Sequence, residues 1–295
     1  MIDRETIMFN PMRTSTAFLI LIAIVLAMVG SRGCTDQDAR DAALVLEPIA
    51  IENGDFEADW GDEENHSVLV VPVSGDPYIA QIGNIFTPPG WVTWFIHAPG
   101  SWDQPEVRDA HRSVDPSRVH SGDKAILLFT FSRRHDGGFY QTVDVIPGTR
   151  LRLTAWAHAW SNTGLDGYEW CKDVGDCSCG VGFDAACILQ GDAPPLSGDP
   201  WSDAIQNFVF SVGIDPTGGT NPTASTVVWG RGAHIYNAHA QPPAIEVVTE
   251  GESATVFLRS TTAWAFKHND AYFDDVELYT IPHSTYLPFV LKGSD

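Results

Sequence analysis

Arg152-Leu153-Thr154-Ala155-Trp156-Ala157-His158-Ala159-Trp160 is the stretch that decides the fold class. With period two, Leu151, Leu153, Ala155, Ala157 and Ala159 make one face, and Arg152, Thr154, Trp156, His158 and Trp160 make the other. Side chains alternate across a strand, so this is a β-strand with a small apolar face and an aromatic, hydrogen-bonding face. Two placements fit it. The tryptophan face can pack in a sandwich core, with the alanines under a loop, because tryptophan is largely buried in most proteins. Alternatively it faces outward, where two tryptophans beside polar groups suit a flat, hydroxyl-rich ligand such as a sugar.

Around this strand the chain reads as short apolar runs punctuated by Gly, Pro, Asn and Asp. Strands are expected at 44–51, 90–96, 125–132, 138–146, 149–161, 207–214, 225–229, 244–249, 253–261 and 271–280. No stretch after residue 43 has a helical period, so the expected fold is all-β: a two-sheet antiparallel β-sandwich, or jelly roll, with long loop insertions. Val145-Ile146-Pro147-Gly148-Thr149-Arg150 has turn chemistry, with Pro presetting φ and Gly supplying a left-handed position. It predicts a hairpin over 138–161. Loops are expected at about 59–85, 97–117 and 162–205.

The chain has 295 residues, 44% hydrophobic and 19% charged, enough to build a core. The net charge of −21 argues against nucleic acid and anionic membrane surfaces as partners, since both need a basic patch. Ala17 to Val29 is an apolar run of 13 residues preceded by Arg13. It is short for a membrane-spanning helix of about 20 residues and fits the core of a signal peptide. Residues 1–33 therefore read as a signal or anchor helix, 34–43 as a linker, 44–281 as the sandwich and 282–295 as a tail. Gly30-Ser31-Arg32-Gly33-Cys34 resembles a lipoprotein box with Cys34 as the lipidated residue, although Arg32 is a poor fit to it. The expected location is secreted or at the cell surface.

The other cysteines, Cys171, Cys177, Cys179 and Cys187, form a local cluster. In an exported chain an even cluster reads as two disulfides holding the 162–205 loop. Zinc is the rival, but the spacing lacks paired Cys-x2-Cys knuckles.

Asn53-Gly54-Asp55-Phe56-Glu57, then Pro89-Gly90-Trp91, resemble the opening of the galactose-binding-like jelly rolls found in many carbohydrate-binding modules. Val119-His120-Ser121-Gly122-Asp123-Lys124-Ala125 is similar to their central strand entry, and Tyr272-Phe273-Asp274-Asp275-Val276-Glu277-Leu278 to their closing strand. Together these span about 48–281, in order. A narrower resemblance, through Arg133 to Gln141, Gly213 to Thr220, Lys267 to Asp270 and the tail Tyr286 to Lys292, is to uncharacterised exported proteins of Chloroflexota. The wider resemblance implies a calcium ion between the first and last strands, with Glu57 and Asp274 as ligands. Parity places Asp274 with Val276 and Leu278, pointing inward, where its charge needs a partner.

Several loop residues are candidate ligand contacts. His135 and Asp136 precede two glycines that let backbone approach a ligand, although a turn explains them equally well. His268 and Asn269 precede the last strand, and Asp215 ends an alternating strand with Phe208, Phe210, Val212 and Ile214 on one face. No nucleophile elbow, His-Glu-x-x-His, phosphate loop or dinucleotide fingerprint occurs. The expected role is glycan binding or adhesion, with a glycan or envelope polysaccharide as partner. The alternatives are an assembly subunit binding envelope proteins and a polysaccharide hydrolase.

Overall fold

The computed structural model describes residues 46–60, 66–98, 103–131, 133–161, 207–263 and 268–282. The signal-like segment, Cys34, the four-cysteine cluster and the tail from residue 283 lie outside the described residues.

The described residues build two packed sheets, and their only helical element is a 3-10 turn at Pro116–Arg118. In the first sheet the order is β12 (Ile245–Val248), β8 (Arg150–Ser161), β14 (Asn269–Ile281), β6 (Lys124–Thr130) and β5 (Glu106–His111). The short β1 (Glu47–Ile49) also pairs with β14, so the first and last strands are neighbours, as expected. In the second sheet the order is β10 (Val228–Trp229), β9 (Phe208–Asp215), β13 (Ser253–Thr262), β7 (Asp136–Asp144), β4 (Val92–His97), β2 (Ser67–Pro72) and β3 (Tyr78–Gln81). β11 (Ala233–His234) pairs with β9.

The core lies between the sheets. Leu151, Leu153, Ala155, Ala157 and Ala159 of β8 all enter it, facing Phe208, Phe210, Val212 and Ile214 of β9 and Val256 and Leu258 of β13. The small alanines leave room for Phe210 and Phe139, whose rings meet Phe273 edge-on at 5.4 and 6.0 Å. This settles the open placement: the apolar face of β8 is core and the tryptophan face lies outside the sandwich.

Four expectations change. The 138–161 segment is not a hairpin, because β7 pairs with β13 and β4 whereas β8 pairs with β14 and β12. Its turn crosses between sheets and is tied instead to the turn after β12, through Gly148 N–H to Thr249 O and Val145 N–H to Glu252 O. Phe139 and Val143 face Leu151 and Leu153 across the core, which needs the two strands in opposite layers.

The loops expected at 59–85 and 97–117 contain β2, β3 and β5. Val68 to Val71 show no alternation because both their faces are buried: Val68 and Val70 in the main core, Leu69 and Val71 in a second cluster with Trp94, Ile96, Tyr140, Val227 and Phe257. β5 is an edge strand, so its charged residues are tolerated. The sandwich is also not wholly antiparallel, since β2 runs parallel to β4.

Finally, Asp274 does not share a face with Val276. The register slips between Asp274 and Glu277, and Asp275 has φ +44°. This bulge takes up one residue, so Phe273 and Val276 both face the core, three apart. Asp274 is paired with Trp156 on the outer side.

Candidate functional site

The outer face of the first sheet gathers the aromatic and polar groups. Across it, Trp160 of β8 pairs with Asp270 of β14 and then Phe129 of β6. In the next row His158 pairs with Tyr272 and then Leu127. Residues directly paired share a face. The segment after β11 runs along the same strand, with Asn237 N–H bonded to Ala159 O and Ala240 paired with Ala157. It brings His239 to 4.9 Å from His158, ring to ring.

The face is not an open platform. The β5–β6 connection roofs it. Asp115 caps the 3-10 turn, and its carboxylate takes Arg118 Nε at 3.1 Å. The Arg118 guanidinium then lies over Trp160 at 5.1 Å and Tyr272 at 5.6 Å. His120 stacks flat on Trp156 at 3.8 Å and 16°, held by Asp275 at 2.6 Å. Trp156 is therefore a prop for His120, and one of its faces is occupied. Trp160, half-buried, is flanked by His268 at 6.0 Å.

Beneath this roof lie buried polar atoms without a protein partner: Arg118 Nη1, His158 Nδ1, His239 Nε2, Asp270 Oδ1 and, on the same face, Thr154 Oγ1. An unpaired buried polar atom costs about 1–3 kcal/mol, and each of these atoms is fully buried under the roof. Burial pushes the His158 imidazole down to about 3, helped by Arg118 and His239, so it is neutral at physiological pH. Burial, and then the nearby His120, lowers His239 as well. Burial raises the Asp270 carboxyl to about 6, and its other oxygen takes the Tyr272 hydroxyl at 3.3 Å. Tyr272 is raised by the same burial.

The structure brings Trp160, His158 and His268 into this group. Arg152 lies further along the strand, at the sheet edge beside Glu246 at 3.5 Å. The other loop candidates are committed elsewhere in the fold. His135 is buried between Thr130 Oγ1 and Ser260 Oγ, and burial lowers it to about 3. Asp136 forms a buried two-pronged pair with Arg259, both contacts 2.8 Å, on the other sheet. Asp215 is fully buried, and its carboxylate closes the turn after β9 through Thr217 and Thr226. Asn269 is fully buried and buckles Asn207 to Arg133 O. Each is polar because the interior needs its hydrogen bonds, which a sequence pattern does not distinguish from ligand contact.

Glu57 and Asp274 close on one turn. Asp274 Oδ2 accepts His120 N–H and Ser121 N–H, and Oδ1 accepts Asp275 N–H. Glu57 Oε1 accepts Asp123 N–H and Lys124 N–H, each 2.8 Å. Gly122 between them has φ +55°, and a side chain there would run into Glu57. These amides hydrogen-bond both carboxylates, yet burial and the neighbouring Asp275 outweigh them at Asp274 and raise its carboxyl to about 7. Among the described residues no group of three or more His, Cys, Asp or Glu is placed to hold a metal ion.

Arg118, His120, His239 and Tyr272 are not among the sequence candidates. His120 and Tyr272 lie inside the resemblance motifs, but only the folded turn and strand register show that they meet.

No family model and no curated protein matches the chain, so the Chloroflexota resemblance finds no support. Among solved structures, the chain is similar to a cyclase from Fischerella sp. TAU, at 13% identity over 81% of this chain and 98% of that one, TM-score 0.41. It is also similar to the family 61 carbohydrate-binding module TmCBM61, in complex with β-1,4-galactotriose, at 12% identity over 67% and 91%, TM-score 0.37. A third is the C-terminal family 22 carbohydrate-binding module of Clostridium thermocellum Xyn10B, at 10% identity over 66% and 87%, TM-score 0.33. Likenesses this loose carry neither a ligand nor an activity over to this chain.

Proposed function

We propose that this protein is an exported, surface-held glycan-binding β-sandwich that takes the end of a sugar chain at the aromatic and polar outer face of the first sheet. The observation that carries the reading is the cluster on this face: Trp160 and Tyr272 beside His158 Nδ1 and His239 Nε2, two ring nitrogens with no protein partner. Aromatic rings give a sugar its apolar contact, and convergent polar atoms give it orientation. Because Arg118 and His120 cover part of the face, it suits one terminal residue rather than a chain lying across Trp156 and Trp160. Export rests on the 17–29 apolar run, and attachment through Cys34 or a retained anchor belongs to the same proposal.

A glycan-array screen of the full chain tests this. Binding is expected for oligosaccharides that share a terminal residue. His158→Ala and Trp160→Ala should each weaken it at least tenfold with an unchanged melting temperature. An array with no binder would end the reading.

A second reading, polysaccharide hydrolysis, draws on Asp270, a buried carboxyl raised to about 6 as a general acid requires. Glycoside hydrolysis also needs a second carboxyl roughly 5–9.5 Å away. Release of reducing ends from a bound polysaccharide, abolished by Asp270→Asn, would favour it.

A further inference from the structure

A cavity of about 420 Å3 lies away from the outer face, where β2, β3 and the end of β4 meet the segment leading into β5. Clefts that take small ligands run from about 300 to 1,000 Å3. The floor is the core-side face of the second sheet. Val70 and Phe95 belong to the main core, and Ala80 and Ile82 pack against it. Tyr78 pairs with Val70 and so shares that face, yet it is 52% exposed. The sandwich is therefore open at this edge. The far wall is tied to β5, through Val107 N–H to Asn84 O and Phe86 N–H to Val107 O.

The bonds already made on the wall fix which polar atoms are left over. Asp103 is buried, and an ionised carboxylate only accepts, so His97 donates to it from Nδ1 at 2.8 Å. In the neutral ring Nε2 is then an acceptor. Gln104 donates from Nε2 to Asn84 Oδ1 at 3.0 Å, which leaves its own Oε1 to accept. Glu106, half-buried on the same wall, adds a carboxylate. Two donors also line the cavity. Arg133 has a partner of its own, and the Asn84 amide nitrogen is open to water.

We infer that this cavity is a site for a small organic cation, a primary ammonium carried on an apolar or aromatic body. The body rests on Phe95 and on the exposed ring of Tyr78, whose face also attracts a cation. The ammonium, which only donates, goes to Glu106, with Gln104 Oε1 and His97 Nε2 as its other acceptors. A carboxylate in the same place would meet these three acceptors with nothing to donate. A hydroxyl would donate once and leave the Glu106 charge unmatched. The net charge of −21 raises the concentration of cations around the chain.

Calorimetric titrations of the full chain at pH 8 with phenethylamine, 2-phenylethanol and phenylacetate test this, because the three share one body and differ in the head group. Phenethylamine should bind at least tenfold more tightly than the other two. Glu106→Gln keeps the shape and an acceptor but loses the charge, so it should cut that preference to under threefold with an unchanged melting temperature. Tyr78→Ala should weaken phenethylamine at least fivefold; its site on an edge strand makes it the deciding variant if Glu106→Gln proves unstable. An alcohol or acid that binds as tightly as the amine would overturn the inference. So would a preference unchanged in Glu106→Gln, binding unchanged in Tyr78→Ala, or no binding of the amine at millimolar concentration. Each of these results leaves the glycan reading of the outer face standing, since the two sites share no residue.

Discussion

Asp136 and Asp270 are two buried aspartates with different fates. Asp136 has the Arg259 guanidinium on both its oxygens. Burial pushes its carboxyl up and Arg259 pulls it back. Asp270 has one long bond to Tyr272 and a free oxygen. Removing one partner of a buried ion pair costs about 3–5 kcal/mol, so Asp136→Ala should lower stability by that order in urea melts. Asp270 should do the opposite. Its folded value of about 6 lies above the ordinary carboxylate range. The fold favours its protonated form, so its contribution is complete below about pH 4 and lost as pH rises through 6. Asp270→Asn resembles the protonated form. It should be more stable than the parent at pH 8, by on the order of 2 kcal/mol, with the gap closing toward pH 4. The other groups nearest Asp270, namely Arg118, Arg108, His158, His268 and Tyr272, are common to both proteins, so the difference isolates this carboxyl. A gap that does not change with pH would contradict the assigned shift.

At the scale of elements, the turn from His120 to Lys124 shows how three distant motifs become one device. Glu57 holds one end, Asp274 the other, and the β14 bulge aims Asp274 at it. Phe56, at φ +56°, packs on Trp91 at 5.5 Å, and Trp91 donates to Asn53 O, which sets the Glu57 segment in place. Because the turn also carries His120 and follows Arg118, it builds the roof over Trp156 and Trp160. Glu57→Gln weakens charge-assisted bonds to two amides and should destabilise by about 1–3 kcal/mol. It should also loosen the stacking of His120 on Trp156, read as a change in tryptophan fluorescence. The calcium expectation is tested on the same turn. With amides already on both carboxylates, chelator should leave the melting temperature unchanged. A fall of several degrees, absent in Asp274→Asn, would restore calcium.

At the scale of the molecule, the two sheets are used differently. The second sheet is covered on both faces, with Trp94, Tyr140, Phe257 and Trp229 under the segment that follows β9. The first sheet carries the aromatic and polar cluster on its outer face. With no helix but one 3-10 turn among the described residues, far-UV circular dichroism should show a β spectrum; a helical one would contradict the architecture.

The sequence by itself determined what depends on local periodicity and turn chemistry. The alternation in β8 and β9 and the strand positions from residue 90 onward, β5 and β11 excepted, were legible, and the neighbouring first and last strands followed from the motif resemblance. So was the tryptophan strand as the place to look for a site. Tertiary structure decided the rest. β2 and β5 were not visible because one is buried on both faces and the other lies at an edge, so neither alternates. The false hairpin came from a turn whose local chemistry is the same whether its strands pair or part. His135, Asp136, Asp215 and Asn269 looked like ligand contacts because polarity does not say whether a hydrogen bond is made to the fold or to a visitor. The cluster on the outer face joins Arg118, His158, His239 and Asp270, residues brought together only by strand register and a crossing loop. That register follows from burying whole faces against each other, a property no single segment carries.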